Sequence, residues 1–330
     1  GANTKTIDFA TTPAAVGSNN LKVVGANNSA IMYAKTVAVD NGATDHIAFT
    51  NGNVSVTSST VADTNTNTDM GNGGISYTGY KTITEKAANG GSVTLTDSNV
   101  TGVNNGISMT NGDVTIINST VTGNAGAGIT DTAGSVSVTG TTAKAAMITG
   151  KTTAGIANTT GNVDLKYTTV AGNTQGITLT GGNIKASNST ITGTNNAGIY
   201  GTKGSVELNT TTVSGGNNGI NLTGSDVKVL SDSTVQSTKG DGITYTGYVY
   251  NAQGNIPSAT GGSVTVTDSS VTGFNNGISY TAGDVSTTGT STKHAIVTGL
   301  NLAGISNTTG NVNLPYADIT GTTQGINTTT

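Results

Sequence analysis

A short pattern of glycine, a small polar residue and a β-branched residue recurs along most of the chain. Neighbouring copies are mostly 21 or 22 residues apart, and the exceptions are spaced by 27 or by 37 to 39 residues. A constant unit with occasional inserted loops produces such spacings, so the pattern indicates a repeat array. The β-branched positions are Val54, Val93, Val114, Val136, Val163, Ile184, Val206, Val227, Val264, Val285 and Val312.

Each repeat contains three short segments in which apolar and polar residues alternate. In one repeat these segments carry Val93 and Leu95, then Val100, then Ile107 and Met109, with glycine and asparagine between them. Period-two alternation predicts strands, and a unit this short must stack on its neighbours, with parallel pairing, to bury its apolar residues. We therefore predict an all-β parallel β-helix (β-solenoid) with three strands per coil of about 21–22 residues and about 13 coils.

The alternation also predicts which side chains form the interior. One column should contain the first apolar residue of the first strand, and a second column should contain the isoleucine of the third strand. The first column is Val93, Val114, Val136, Val163, Ile184, Val206 and Val227. The second column is Ile107, Ile129, Ile156, Ile177, Ile199, Ile220 and Ile243.

The repeats define two regions. Residues 1–51 carry weaker signals, and we expect irregular N-terminal coils or a cap there. Residues 52–330 should form the solenoid, with loop insertions near residues 62–73, 78–90, 140–150, 246–261 and 289–299.

Composition excludes several kinds of partner. Charged residues make up 9% of the 330 residues, the net charge is −4, and there is no cysteine. A chain with so few charges and no basic cluster lacks the electrostatic footprint of a nucleic-acid binder or of a protein bound to anionic membranes. No apolar run approaches the length that spans a bilayer. We expect no nucleic-acid partner, no membrane insertion by this segment and no disulfide framework.

Two pairs of longer segments are nearly identical. Residues 91–111, "GSVTLTDSNVTGVNNGISMTN", match residues 262–282, which lie 171 positions further on. Residues 134–177 match residues 283–326, at an offset of 149. The two offsets differ by 22 residues, one coil, so a block of coils was duplicated and one coil was gained or lost afterwards. Whole-coil changes leave a solenoid foldable because each coil contacts only its neighbours.

The repeat grammar "GSVxLxxSxVxGxxxGI" resembles the passenger regions of bacterial type V autotransporters and related large surface adhesins. The resemblance covers about residues 52–326. It implies a right-handed parallel β-helix at the bacterial cell surface or in the extracellular space. The same fold serves adhesins, toxins, proteases, phage tailspikes and polysaccharide lyases, so the resemblance alone does not select a function.

The sequence does not indicate catalysis or metal binding. Asp113, Asp226 and Asp284 occupy the turn before the first strand, but the flanking coils carry Ser or Asn there, so no acid–base pair emerges. His46 and His294 have no His, Cys or acidic residue at ligand spacing. We expect a protein that is not an enzyme and that has no metal and no cofactor.

Charged residues of alternating sign occupy the outward position that follows the first inward residue in four successive coils. These residues are Asp164, Lys185, Glu207 and Lys228. In-register stacking would place each about 4.8 Å from the next and would penalise a slip by one coil. We interpret this ladder as a device that fixes register, and a polar binding strip is the alternative.

Tyrosine is concentrated in two loops. The insertions at residues 78–90 and 246–261, with their edges, carry Tyr77, Tyr80, Tyr245, Tyr248 and Tyr250, half of the 10 tyrosines. Tyrosine on a protruding loop suits recognition because a rigid amphipathic ring offers contact area at low entropic cost. Rings that fold back over the solenoid are the alternative.

Together these features favour a rod-like extracellular adhesin or surface-display segment that attaches to cells through its loops. Its partner would be a receptor or glycan on a host or neighbouring cell. The first alternative is a self-assembling extracellular fibre subunit joined end to end through open solenoid edges. A polysaccharide-degrading enzyme is the remote alternative, because the fold permits it.

Overall fold

The fold is known from a computed structural model. It describes residues 20–24, 30–32, 36–40, 43–44, 46–49, 53–63, 73–77, 91–224, 226–247, 249–250, 257–258, 262–307 and 310–328. The chain divides into two compact units, Gly1–Gly172 and Asn173–Thr330, and each is described by itself. The described residues of both units are all-β.

The first unit is a three-sided parallel β-helix. Its strands are β1 (Asn20–Val24), β2 (Ala30–Met32), β3 (Thr36–Asp40), β4 (Ala43–Thr44), β5 (His46–Phe49), β6 (Asn53–Thr57), β7 (Thr60–Ala62), β8 (Gly73–Tyr77), β9 (Ser92–Thr96), β10 (Asn99–Gly102), β11 (Asn105–Met109), β12 (Asp113–Ile117), β13 (Thr120–Gly123), β14 (Ile129–Asp131), β15 (Val136–Thr139), β16 (Ala146–Gly150), β17 (Ile156–Asn158), β18 (Val163–Lys166) and β19 (Thr168–Gly172). The first sheet has the order β1-β3-β6-β9-β12-β15-β18, the second β4-β7-β10-β13-β16-β19 and the third β2-β5-β8-β11-β14-β17.

The second unit has the same architecture. Its strands are β20 (Ile177–Leu179), β21 (Ile184–Ser187), β22 (Thr190–Gly193), β23 (Ala197–Gly201), β24 (Val206–Asn209), β25 (Thr212–Gly215), β26 (Asn218–Thr223), β27 (Val227–Leu230), β28 (Thr234–Ser237), β29 (Ile243–Thr246), β30 (Val249–Tyr250), β31 (Pro257–Ser258), β32 (Ser263–Thr267), β33 (Ser270–Gly273), β34 (Ile278–Tyr280), β35 (Asp284–Thr288), β36 (Ala295–Gly299), β37 (Ala303–Asn307), β38 (Val312–Asn313), β39 (Ala317–Gly321) and β40 (Gln324–Thr328). The first sheet has the order β21-β24-β27-β32-β35-β38, the second β22-β25-β28-β33-β36-β39 and the third β20-β23-β26-β29-β34-β37-β40. β30 and β31 form a separate antiparallel pair.

The predicted fold class is confirmed, because each coil contributes one strand to each of three parallel sheets. Summed over both units, the described residues provide 12 or 13 strands per sheet, in agreement with about 13 coils. Within 1–51, the described strands already follow this pattern, since β1 pairs in parallel with β3, and β3 with β6.

The predicted interior columns are also confirmed within each unit. Every residue of both columns is at most 1% exposed. In register, Val114 pairs with Val93 and with Val136 in the first unit, and Val206 pairs with Ile184 and with Val227 in the second. The interior is therefore made of stacked like side chains, which exclude water from all three sheets.

A hydroxyl ladder occupies the corner between the first and second sheets. The residue before each ladder position has a positive φ, as in Asn118 at 49°. The following hydroxyl is buried: that of Ser119 donates to the carbonyl oxygen of Ile117 at 2.6 Å and accepts the amide N–H of Ser98 at 2.9 Å. Because these groups satisfy one another, the corner can be buried without orphaned backbone groups. The hydroxyl ladder consists of Ser59, Ser98, Ser119, Thr168, Ser189, Thr211, Ser233 and Ser269.

The corner between the second and third sheets depends on glycine at the end of the second strand. A Cβ atom added to Gly215 would lie 1.6 Å from the carbonyl oxygen of Asn218. No side chain fits there without moving the backbone. The sharp bend of this corner therefore explains why a glycine closes the second strand of most coils.

The third sheet of the first unit carries one buried acid. Asp131 occupies the inward position of Met109 in the preceding coil and of Asn158 in the following one, and it is 1% exposed. Its Oδ1 accepts the amide N–H of Ala133 at 3.1 Å, while its Oδ2 has no partner among the described residues. Burial, with a smaller contribution from the charge of Asp113, raises the pKa of Asp131 to about 6.

Candidate functional site

Two short inserts interrupt the regular corner between the first and second sheets, one in each unit. We call residues 140–145 the first insert and residues 289–294 the second insert. In the first, the amide of Thr141 donates to the carbonyl oxygen of Lys144 at 2.8 Å, and the amide of Lys144 donates to Oγ1 of Thr141 at 3.0 Å. Thr290 and Lys293 repeat both bonds, at 2.7 and 3.0 Å. The two inserts thus share one turn.

The inserts are shorter than the sequence predicts. Residues 146–150 and 295–299 were expected inside the insertions near 140–150 and 289–299, as an extra strand or corner. They form β16 and β36, ordinary strands of the second sheet, since Ile148 pairs with Val121 and Val297 with Val271. Their alternating apolar residues belong to the interior, and only the preceding polar residues protrude.

In each insert, the lysine side chain forms an ion pair with an aspartate in the corner two coils earlier. Nζ of Lys144 lies 3.3 Å from Oδ1 of Asp97. Lys293 forms the corresponding ion pair with Asp232. Both pairs are largely exposed, so each contributes on the order of 0–1 kcal/mol to stability. Each pair connects the insert to the corner two coils earlier, across one intervening coil.

That intervening coil presents an unsatisfied oxygen in both units. Oδ1 of Asn118 in the first unit and Oδ1 of Asp268 in the second are buried atoms without a hydrogen-bond partner among the described residues. A buried acceptor without a donor destabilises a protein, and a ligand or a water molecule that donates a hydrogen bond removes the cost.

The second insert borders a groove with a volume of about 530 Å³, which we call the corner groove. All but one of its lining residues are polar, although carbon atoms supply about half of the exposed lining surface. The lining residues are Asp232, Ser233, Thr234, Asp268, Ser269, Ser270, Ser291, Thr292, Lys293, His294, Ile296 and Asp318. This volume is enough for a small molecule, but the groove is open to solvent and has more polar lining residues than an enclosed ligand pocket.

A histidine–aspartate pair closes one side of the corner groove. Nδ1 of His294 lies 3.0 Å from Oδ1 of Asp318, on the next coil. The ring centroid of His294 is 6.4 Å from that of Tyr316, at an interplanar angle of 48°. Beside this pair, the side chain of Ile296 points outward from β36 and is 44% exposed. The groove thus combines fixed polar groups with an apolar surface.

The first unit lacks the histidine–aspartate pair. By the 149-residue offset, Ala145 stands at the position of His294 and Thr169 at that of Asp318. On the coil before the insert, Asn118 replaces Asp268. The chain therefore carries two versions of one corner, and only the second has this set of ionisable groups.

Among the residues that the structure describes, no group of three or more His, Cys, Asp or Glu side chains is placed to hold a metal ion. In the corner groove, ionisable side chains form ion pairs and hydrogen bonds with one another.

The prediction that Tyr245 belongs to a recognition loop is wrong. Tyr245 is 0% exposed, and its hydroxyl donates to the carbonyl oxygen of Gly224 at 2.8 Å. Burial raises the pKa of this phenol far above its usual value of 10. Tyr245 follows the column residue Ile243 at a spacing of two, so the strand alternation turns both side chains inward.

The other tyrosines predicted for binding have different outcomes. Tyr77 ends β8 in register with Met109, the inward position of the next coil. Tyr250 belongs to β30, which pairs with β31 in the 246–261 insertion. Tyr80 and Tyr248 lie outside the described residues, as do residues 78–90 and most of 62–73.

The charge ladder is in register where the second unit contains it. Lys185 pairs with Glu207, and Glu207 with Lys228, all at outward positions of β21, β24 and β27. Asp164 occupies the outward position of β18 in the first unit, beside Ser137. None of the ion pairs found in the described part of the chain involves these four side chains.

The corner groove was missed because its residues are distant in sequence. His294 and Asp318 are 24 residues apart, and Lys293 and Asp232 are 61 apart. The sequence signal that could have revealed these contacts is the length of the coil. Once the coils are aligned, residues of neighbouring corners that lie one coil apart become neighbours in space.

In comparisons with known proteins, no protein-family model, no curated protein and no solved structure matches this chain. The described residues contain no helix that is long and apolar enough to cross a membrane.

Proposed function

We propose that this chain is a non-enzymatic segment of an extracellular surface protein, in which a stacked β-helix displays corner loops that attach the protein to another cell. The observation that carries this proposal is the contrast between the coils and the second insert. The coils repeat small polar residues outside and aliphatic columns inside. The corner groove, in contrast, gathers three aspartates, a lysine and a histidine at one protrusion.

The resemblance of the repeat grammar to type V autotransporter passengers and surface adhesins supports the same proposal. It favours a right-handed helix at the bacterial cell surface. The absence of cysteine is compatible with export as well as with a reducing cytosol, so it does not select the compartment. The partner would be a receptor or glycan on a host or neighbouring cell, with no cofactor required.

Loops on a rigid scaffold are common sites of recognition because their side chains vary without cost to the core. Besides the second insert, the tyrosine-bearing insertions remain candidates through Tyr80, Tyr248 and Tyr250. Tyr245 does not belong among them, because it is part of the interior.

Two measurements test the proposal. Antibodies against this chain, followed by electron microscopy of the producing cells, should label single projections outside the cell. Fluorescent beads coated with the chain should adhere to host or neighbouring cells more than beads coated with an unrelated protein of similar charge. Labelling confined to the cytosol, or equal adhesion of both kinds of bead, would contradict the proposal. Long uniform filaments made of this chain alone would favour the fibre subunit instead.

A further inference from the structure

We propose that the corner groove binds a saccharide that carries no negative charge, a step that rests on the proposed attachment function. The site would use His294, Asp318 and Asp268 as hydrogen-bonding groups and Ile296 as an apolar contact. The inference follows from what the groove offers to a ligand and from what the first unit lacks.

The hydrogen-bonding groups of the corner groove match a polyhydroxylated ligand. Its lining has three carboxylates that accept hydrogen bonds, and four serine or threonine hydroxyls outside the buried hydroxyl ladder, which both donate and accept. A sugar hydroxyl also donates and accepts, so neighbouring hydroxyls on one ring can engage both kinds of group. A ligand with only donors or only acceptors would leave part of the lining unsatisfied.

The lining of the corner groove includes one hydrogen-bond acceptor that lacks a donor among the described residues. Oδ1 of Asp268 is buried and has no hydrogen-bond partner in the described part of the chain. The neighbouring carboxylates are engaged, since Asp232 pairs with Lys293 and Asp318 contacts His294. Because this oxygen has almost no exposed surface, a ligand hydroxyl reaches it only after a small movement of the side chains that cover it. That contact would satisfy the oxygen, and the gain would belong to binding.

The charge of the groove disfavours acidic ligands. Three aspartates face one lysine and one histidine, so a sulfated, phosphorylated or carboxylated sugar would meet net repulsion. Neutral sugars and amino sugars avoid this cost. Their uncharged C–H faces would in turn pack on Ile296, which is 44% exposed, and near the ring of Tyr316, which is 57% exposed.

The first unit provides a comparison within the same chain. It keeps the turn of the insert and the lysine–aspartate pair, but it has Ala145, Thr169 and Asn118 where the groove has His294, Asp318 and Asp268. These three differences replace ionisable groups by small or neutral ones. We therefore assign sugar binding to the second insert and not to the first.

The test is a printed array of neutral, amino-substituted and acidic glycans probed with the whole chain. We expect retention of one or more neutral or amino-substituted glycans. The double variant His294→Ala with Asp318→Thr reproduces the residues of the first unit, and it should bind the retained glycan at least about tenfold more weakly, as expected when one or two ligand hydrogen bonds are lost. All replaced side chains are exposed, so circular dichroism should show an unchanged fold.

The control is Asp97→Asn, which breaks the lysine–aspartate pair of the first unit, far from the corner groove in sequence, and should leave glycan affinity unchanged. Three results would overturn the inference: no glycan retained by the folded chain, retention of acidic glycans only, or equal affinity of the double variant. Bead adhesion separates this inference from the proposed function. Beads that adhere equally well with the double variant would reject the groove and keep the attachment function, whereas beads that never adhere would reject the attachment function itself.

Discussion

The carboxyl group of Asp131 couples protonation to folding. It lies inside the third sheet, between Met109 and Asn158 in register, and its Oδ2 has no partner among the described residues. Burial raises its pKa from its usual 3.8 to about 6. Between these two pH values the unfolded chain has lost the proton while the folded chain keeps it. Raising the pH through this window therefore favours unfolding.

We predict that the free energy of unfolding falls by about 2–3 kcal/mol as the pH rises from 4 to 7, and that Asp131→Asn removes this fall. An asparagine is already accommodated at Asn158, the same position of the next coil. Urea unfolding at intervals of pH measures both proteins. Asp164→Asn, an exposed change on β18, should keep the slope of the unmodified chain. An equal slope for Asp131→Asn would contradict the assignment.

A second prediction at the residue scale concerns the interior column. Val206 is 1% exposed and stacks between Ile184 and Val227. Val206→Asp would bury a carboxyl group among aliphatic side chains and should lower the free energy of unfolding by about 3–5 kcal/mol. Glu207→Ala, one residue further on the outward face, should change it by less than about 1 kcal/mol. Chemical denaturation of both variants decides; similar losses would place Val206 outside the interior.

At the scale of elements, the hydroxyl ladder stabilises the corner where one strand turns into the next. We predict that Ser119→Ala lowers the free energy of unfolding by about 1–3 kcal/mol, because the amide of Ser98 loses its acceptor in a buried place. Thr115→Ala removes an outward hydroxyl from β12 and should be close to neutral. Thermal melting of both variants measures the difference. If the two substitutions cost the same, the ladder has no stabilising role.

The charge ladder makes a weaker contribution at the same scale. Glu207 lies in register between Lys185 and Lys228, and the ladder side chains are at least partly exposed. We predict that Glu207→Lys, which aligns three like charges, destabilises the second unit by up to about 1 kcal/mol at low salt, and that 1 M salt removes most of the loss. Glu207→Gln serves as the neutral control. A loss that persists at high salt would indicate a packing defect and not charge repulsion.

At the scale of the whole molecule, the coil is the unit of insertion and deletion. Residues 184–205 make up one 22-residue coil, from Ile184 to the residue before its register partner Val206. We predict that deleting these residues leaves a cooperatively unfolding β-helix, because each sheet loses one strand and every column closes up. Deleting residues 184–194 alone removes β21 and β22 but keeps β23. The strand β23 would then follow β20 directly and pair out of register, so cooperative unfolding of the second unit should be lost. Circular dichroism melts compare the two, and equal stability would contradict the register.

The sequence predicts the features that repeat, because stacking makes each coil a copy of the last. The columns through Val206 and Ile220, and the alternation of the charge ladder, follow from spacing alone. The features that do not repeat depend on which residues of different coils meet at a corner. Tyr245 was assigned to a loop edge although its spacing from Ile243 places it inside. The contact of His294 with Asp318 appears only when two corners are superposed.

The hydroxyl ladder has a polarity. The amide of Ser98 donates to the hydroxyl of Ser119, and the amide of Thr211 donates to that of Ser233. In each pair the donor belongs to the earlier coil and the acceptor to the later one. When a coil is added at the N-terminal end, its backbone amide finds the hydroxyl acceptor of the next coil already in place. When a coil is added at the C-terminal end, its hydroxyl satisfies a backbone amide that had no acceptor before. The two ends of such a stack are therefore unequal: its N-terminal end presents a hydroxyl acceptor and its C-terminal end presents an amide donor.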